Sequence, residues 1–313
     1  MTGPAQVEFR DIDALNRLFS DAFTDRYRKD GLAGVRVPYL NNVIWKYAVA
    51  DAGAGAMVWR DSRGELIAFN IVHRSGSEGW MGPLAVRPDR QGQGLGQRIV
   101  LAGVAWLQSE GAQTIGLETM PRTIENIGFY SRLGFVPAPL TITLQRDRPR
   151  ADSAAGVRLS SLAADERSAV LQQCRQLAGR IGGGVDFTRE IELTQEMHLG
   201  DVTLLHEAGG ALRAFALWHT APLAQGQGVA DLRILKLAAP DTASALAAVF
   251  AVEREAAAMS LPHCSVRCQS RFTDFYAALV AEHYRVQWTD LRLTLAKYPE
   301  PAATGVLLSN WEI

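Results

Sequence analysis

Three glycines at alternate positions, Gly92, Gly94 and Gly96, constrain this chain more than any other feature. A strand pattern, Gly79–Val86, precedes them. After them come a helical pattern to about Glu110, a strand pattern over Thr114–Met120, and a helix running through Asn126, Phe129 and Tyr130 to Gly134-Phe135. Glycine has no Cβ, so another group can approach its backbone closely. The helix that starts at the loop turns its unpaired N–H groups and positive dipole end toward it. Such a start holds a phosphate or pyrophosphate. Spacing excludes two alternatives. A dinucleotide fingerprint needs G-x-G-x-x-G, but from Gly92 the third position is Gln97, and a Walker loop needs Gly-Lys-Ser/Thr, which is absent.

The string Gln91-x-x-Gly94-x-Gly96 after an apolar strand, followed by Asn126…Phe129-Tyr130-x-x-x-Gly134-Phe135, resembles the acyl-CoA site of the GCN5-related N-acetyltransferase (GNAT) superfamily. The resemblance implies acetyl-CoA as co-substrate, no metal, and direct attack of an amine on the thioester. The pyrophosphate would lie against Gln91, Gly92, Gln93, Gly94, Leu95, Gly96 and Gln97. Leu84, Ala85 and Val86 would align the pantetheine arm and offer an N–H to the oxyanion. Tyr130 stands at the family's general-acid position, and Asn126, one turn earlier, would bind the arm or cap its helix. The base is less legible, because Trp80 stands where some family members carry a glutamate. Glu78 and Glu118 are the carboxylate candidates, with His73 behind them.

Gly82-Pro83 interrupts the strand before the loop. Proline cannot donate to a ladder, so a central strand carrying it is bulged or splayed there, unless it is an edge strand. In the resembled family the pantetheine arm enters such a gap.

At 313 residues, with 48% hydrophobic and 21% charged residues, the chain suits two soluble domains. The second half repeats the first. Val157-Arg-Leu and a helix over Ala164–Arg180 echo Val7-Glu-Phe and its helix, and Phe275-Tyr276 stands 146 residues after Phe129-Tyr130. Only Ala-Ala-Pro-Asp separates Leu237 from the next helix, so the copy has no glycine loop. The expected fold is α/β (α+β), a mixed central sheet flanked by helices, in two tandem GNAT-like domains. Residues 1–148 form the domain with the acetyl-CoA site and 149–156 the linker. Residues 157–298 form the degenerate copy and 299–313 a tail. Val7–Arg10 reads as the first strand, Tyr39–Val49 as a second helix, and Phe135–Arg146 as closing strands bent at Pro137 and Pro139.

Net charge of −1 without a basic block argues against nucleic-acid binding. No apolar run approaches a bilayer span, so no membrane partner is expected. Cys174, Cys264 and Cys268 read as buried thiols in a reducing cytoplasm. The expected partner is a small-molecule or peptide amine, with a homodimer left open.

The tail ends Val306-Leu-Leu-Ser-Asn-Trp311-Glu-Ile313, too apolar to be left in water. It either adds an edge strand to the second half or crosses to the first and lines the acceptor pocket. There Glu312 or the terminal carboxylate would supply a base, an arrangement known in N-myristoyltransferase. Two functions compete: an N-acetyltransferase, and a catalytically silent acyl-CoA-binding sensor. Retention of Tyr130 beside an intact loop favours the enzyme.

Overall fold

The structure is a computed structural model that describes residues 1–311. The first half runs β1 (Thr2–Gln6), α1 (Ile12–Lys29), α2 (Asn42–Ala52), β2 (Ala56–Arg60), β3 (Leu66–Ser75), β4 (Glu78–Val86), α3 (Leu95–Ser109), β5 (Thr114–Thr119), α4 (Ile124–Arg132) and β6 (Phe135–Asp147). The second runs β7 (Val157–Arg158), α5 (Ala164–Gly182), α6 (Thr188–Glu196), β8 (Gly200–His206), β9 (Leu212–His219), β10 (Asp231–Ala239), α7 (Thr242–Ala258), β11 (His263–Gln269), α8 (Thr273–Ala281) and β12 (Arg285–Leu295). A short β13 (Val306–Ser309) closes the described chain. The halves have the same element order, as the repeat predicts, and each packs helices on both faces of a mixed sheet.

Local chemistry explains the elements nearest the site. On α1, Ile12, Leu15, Leu18, Phe19 and Ala22 recur at helical spacing and bury one stripe. The Asn41 side chain accepts from the Val43 N–H at 3.2 Å and so starts α2 later than the sequence suggests. Helix α3 crosses β3 and β4 at Gly103, where a Cβ would come within 2.7 Å of Asn70 and Met81. Strand β1 lies earlier than Val7–Arg10, because Glu8 and Asp11 cap a tight turn, with the Glu8 N–H donating to Asp11 at 3.1 Å. As the edge strand it tolerates Pro4.

The strands join one sheet in the order β1-β2-β3-β4-β5-β12-β6-β11-β10-β9-β8-β7, with β13 also pairing β10. The expected pair of closing strands is one long strand, β6, whose register slips opposite Pro139. The halves exchange these strands. β12 inserts between β5 and β6, while β6 pairs with β11 from Thr141 to Asp147. Each half therefore completes its sheet with a strand from the other.

Candidate active site

The glycine loop has the form its sequence requires. Gly92 and Gly94 take φ of +74° and +77°, and Gly94 caps α3 in the left-handed conformation. A Cβ at either would meet open space, so the concave side of the loop has room for a ligand. The Arg98 N–H donates to the Gly94 carbonyl, while the N–H groups of Leu95, Gly96 and Gln97 precede the first intrahelical bond. Gln91 pins the loop, donating to the Val86 carbonyl and accepting from Lys29, both at 3.1 Å. Gly96 lies against Phe129 of α4, where a Cβ would be 3.3 Å from the ring.

From this loop an open backbone edge leads inward. Strands β4 and β5 pair in parallel only from Glu78–Thr114 to Met81–Leu117 and then part. On its other side β4 pairs with β3 through Val86, with an extra residue accommodated at Gly82-Pro83. The Arg87 N–H donates to Ile67 of β3 at 2.8 Å. Alternation then points the N–H groups of Leu84 and Val86 away from β3 into the gap, and that of Ala85 toward β3. The gap thus forms a V, wide at the glycine loop and closed at Gly82.

Tyr130 is buried on α4, with Phe129 and Phe135 at ring-centroid distances of 5.1 and 6.1 Å. Burial raises its phenol above the ordinary range, so it keeps its proton at neutral pH and is suited to donate one. Asn126 is half-buried and donates to Thr119 of β5 at 3.3 Å.

Neither carboxylate candidate has a base's surroundings. Glu118 receives Arg267 at 2.6 Å, Arg292 at 2.9 Å and the Thr141 hydroxyl at 2.5 Å. Burial would raise its pKa, but the two guanidinium groups outweigh this and hold it below the usual range. These contacts clamp the inserted strand β12 to β5. Glu78 is buried where β4 and β5 are still paired, and it accepts the hydroxyl of Ser309 on the tail. It supports the tail.

Sequence reasoning gave little weight to the groups on the other face of the sheet. Met81 packs on α3, so Trp80 and its cross-strand partner His73 point toward α1 and α2. Their rings stack at 4.0 Å, and His73 Nδ1 lies 2.5 Å from Asp51 of α2. That contact puts the proton on Nδ1 and leaves Nε2 as an acceptor, without a protein partner among the described residues. Tyr47, Asp51, His73 and Trp80 line a small cavity of about 20 Å³, room for roughly one water, with Glu190, Leu235, Lys236 and Asn310 of the second half. One sequence signal marks it: His219 follows His73 by 146 residues, the offset of Phe129 and Phe275. In the second half Thr194 lies 2.7 Å from His219 Nε2, and burial pushes that imidazole down to about 3.

Glu190 lies 3.8 Å from Lys236, yet burial, reinforced by Asp51, pushes its carboxyl up to about 8. The folded chain then holds a proton that the unfolded chain releases near pH 4.5. Glu190 therefore contributes stability below that pH, and the contribution is lost as pH rises toward 8. Glu190→Gln is expected to lose less melting temperature than wild type between pH 5 and pH 8. Equal losses would show that Glu190 titrates normally.

The second half has the same V, but its own chain fills it. β10 and β11 pair only from Asp231–His263 to Ile234–Val266, and β13 then pairs Ser309 to Val306 against Lys236 to Ala239 of β10. At the N-terminus of α7 the Asp241 carboxylate accepts the Ser244 N–H at 2.7 Å, which holds its pKa below the usual range. An anion thus already sits where a pyrophosphate would bind. Gln225-Gly-Gln-Gly228 lies in the loop before β10, where Leu40 bridges Ala224. The tail adds β13 to the second half, one of the two alternatives, and then runs on to the first half. Trp311 is buried between Gly82 and Gly116, with its carbonyl oxygen 3.3 Å from a Cβ built at Gly82. Glu312 and the terminal carboxylate, considered above as bases, lie outside the described residues.

The Acetyltransferase (GNAT) family matches residues 13–135. The chain is 35% identical over 88 residues to a mycothiol acetyltransferase of Pseudarthrobacter chlorophenolicus, covering 26% of this chain and 27% of that one. It is 31% identical over 130 residues to serotonin N-acetyltransferase 2, chloroplastic, of Oryza sativa subsp. japonica, covering 41% and 58%. These matches therefore span about a quarter and somewhat over half of those relatives' lengths. Over the whole chain, the fold is similar to that of a putative acetyltransferase from Pyrococcus horikoshii, with a TM-score of 0.69 at 14% identity, covering 98% and 94% of the two chains. It is also similar to that of a tandem GNAT protein from the clavulanic acid biosynthesis pathway, with a TM-score of 0.59 at 13% identity, covering 95% and 98%. Among the described residues no helix is long and apolar enough to cross a membrane.

Proposed function

We propose that this chain is an acetyltransferase of the GNAT family, whose model matches residues 13–135, and that it transfers the acetyl group of acetyl-CoA to a primary amine of a small molecule or peptide. One observation carries the reading: amides at the start of α3 continue into the edge of β4 that has parted from β5, unpartnered among the described residues. An anion at Gly92–Gln97 and an amide-bearing arm along Leu84–Val86 would satisfy both sets of donors.

In this reading the amine nitrogen attacks the thioester carbonyl, a C–N bond forms, and the C–S bond breaks. The Leu84 N–H supports the oxygen as it gains charge. Tyr130 gives its proton to the departing thiolate. The proton lost by the nitrogen passes to His73 Nε2, and Asp51 stabilises the imidazolium that results. Glu190, Lys236 and Asn310 shape this side of the site, which gives the second half a role without a second acetyl-CoA.

Incubating the chain with acetyl-CoA and a panel of amines, and following free CoA thiol, tests the proposal. Amine-dependent release supports an enzyme. Tight acetyl-CoA binding with no release for any amine would leave a binding or sensing protein. His73→Gln is expected to lower kcat by about 10²-fold, the low end for a general base, with acetyl-CoA affinity unchanged. A wild-type rate would assign the proton to solvent.

A further inference from the structure

We propose that Trp311 is the floor of the acyl end of the site and restricts the donor to short acyl groups, an inference that rests on the acyl-CoA reading above. The direction of the V supplies the argument. A pyrophosphate at Gly92–Gln97 lies at its wide end, and an arm running along β4 passes Val86 and then Leu84. Whatever the thioester carries therefore points on toward Gly82, next to the point where β5 is paired with β4 at Met81–Leu117. Trp311 occupies that closed end.

Its fit there is specific. A Cβ at Gly116 would come within 2.3 Å of the indole, so only glycine admits the ring beside β5. The Arg292 guanidinium, itself fully buried, lies 3.9 Å over the ring centroid and helps hold it in place. Ser309 and Asn310, just before it, are tied to Arg292, Glu78 and Lys236. The indole Nε1–H is buried without a partner among the described residues. A buried unmade hydrogen bond is costly, and a leucine or phenylalanine serving only to anchor the tail would avoid it. Replacing the indole by a methyl group would open room for several methylenes in line with the arm.

The test measures binding of free CoA, acetyl-CoA, butyryl-CoA and hexanoyl-CoA to the full chain by calorimetry, so it needs no amine. Wild type is expected to bind hexanoyl-CoA at least about tenfold more weakly than acetyl-CoA, since each methylene a pocket rejects is worth that order. Trp311→Ala is expected to reduce that discrimination by about tenfold or more, with affinity for free CoA unchanged. Trp311→Leu keeps an apolar anchor for the tail and is expected to fall between the two. Equal wild-type affinity for acetyl- and hexanoyl-CoA would overturn the proposal, as would discrimination unchanged in both variants. If wild type bound none of the four, the acyl-CoA reading itself would fall, which is a different result from a chain-length profile that Trp311 does not govern.

Discussion

Gly94→Glu is expected to abolish acetyl-CoA binding while leaving the chain folded. Gly94 stands at φ +77° with open space before it, at the point where α3 begins. A side chain there strains the backbone by about 1–2 kcal/mol, a small part of what a folded domain can lose. A carboxylate at a helix start is itself favourable, which further protects the fold. The same carboxylate lies among the amides that would receive the pyrophosphate, and like charges held that close exclude one another. Calorimetry on the variant should show no heat of binding, with a melting temperature near that of wild type. Gly94→Ala carries the strain without the charge and should retain weakened binding. Undiminished binding by Gly94→Glu would move the site away from this loop.

Tyr130→Phe is expected to lower kcat by about 10²- to 10⁴-fold, the usual contribution of a general acid, with acetyl-CoA affinity nearly unchanged. The substitution removes one oxygen from a buried ring and keeps its packing on Phe129 and Phe135. Because burial raises the phenol above its ordinary range, the wild-type rate should not decline through loss of this proton near pH 10. Steady-state kinetics over neutral and alkaline pH separates the outcomes. Wild-type turnover by the variant would make Tyr130 a packing residue.

Features of the site written in local sequence were legible, and those made by distant pairing were not. Glycine spacing, the bulge at Gly82-Pro83 and the order of strands and helices follow from backbone freedom and side-chain period, which adjacent residues express. The strand exchange left no such mark. β6 and β12 have strand character whichever half they join, so nothing in their sequence specifies insertion into the other sheet. Glu118 looked available for the same reason, since its partners Arg267 and Arg292 lie 149 and 174 residues away. The exchange also means that residues 151–313 alone lack the strand between β11 and β12, so that fragment cannot be used to assay the second half. The tail's apolar character was legible, but its place in the second V was not, because β10 offers a free edge only once β11 has parted from it.

One half presents an open loop and slot, whereas β13 closes the slot of the other. Titration of the full chain with acetyl-CoA, followed by calorimetry and native mass spectrometry, distinguishes one open slot from two. One acetyl-CoA per chain is expected. Two per chain would contradict it, because β13 would then not be filling the second slot.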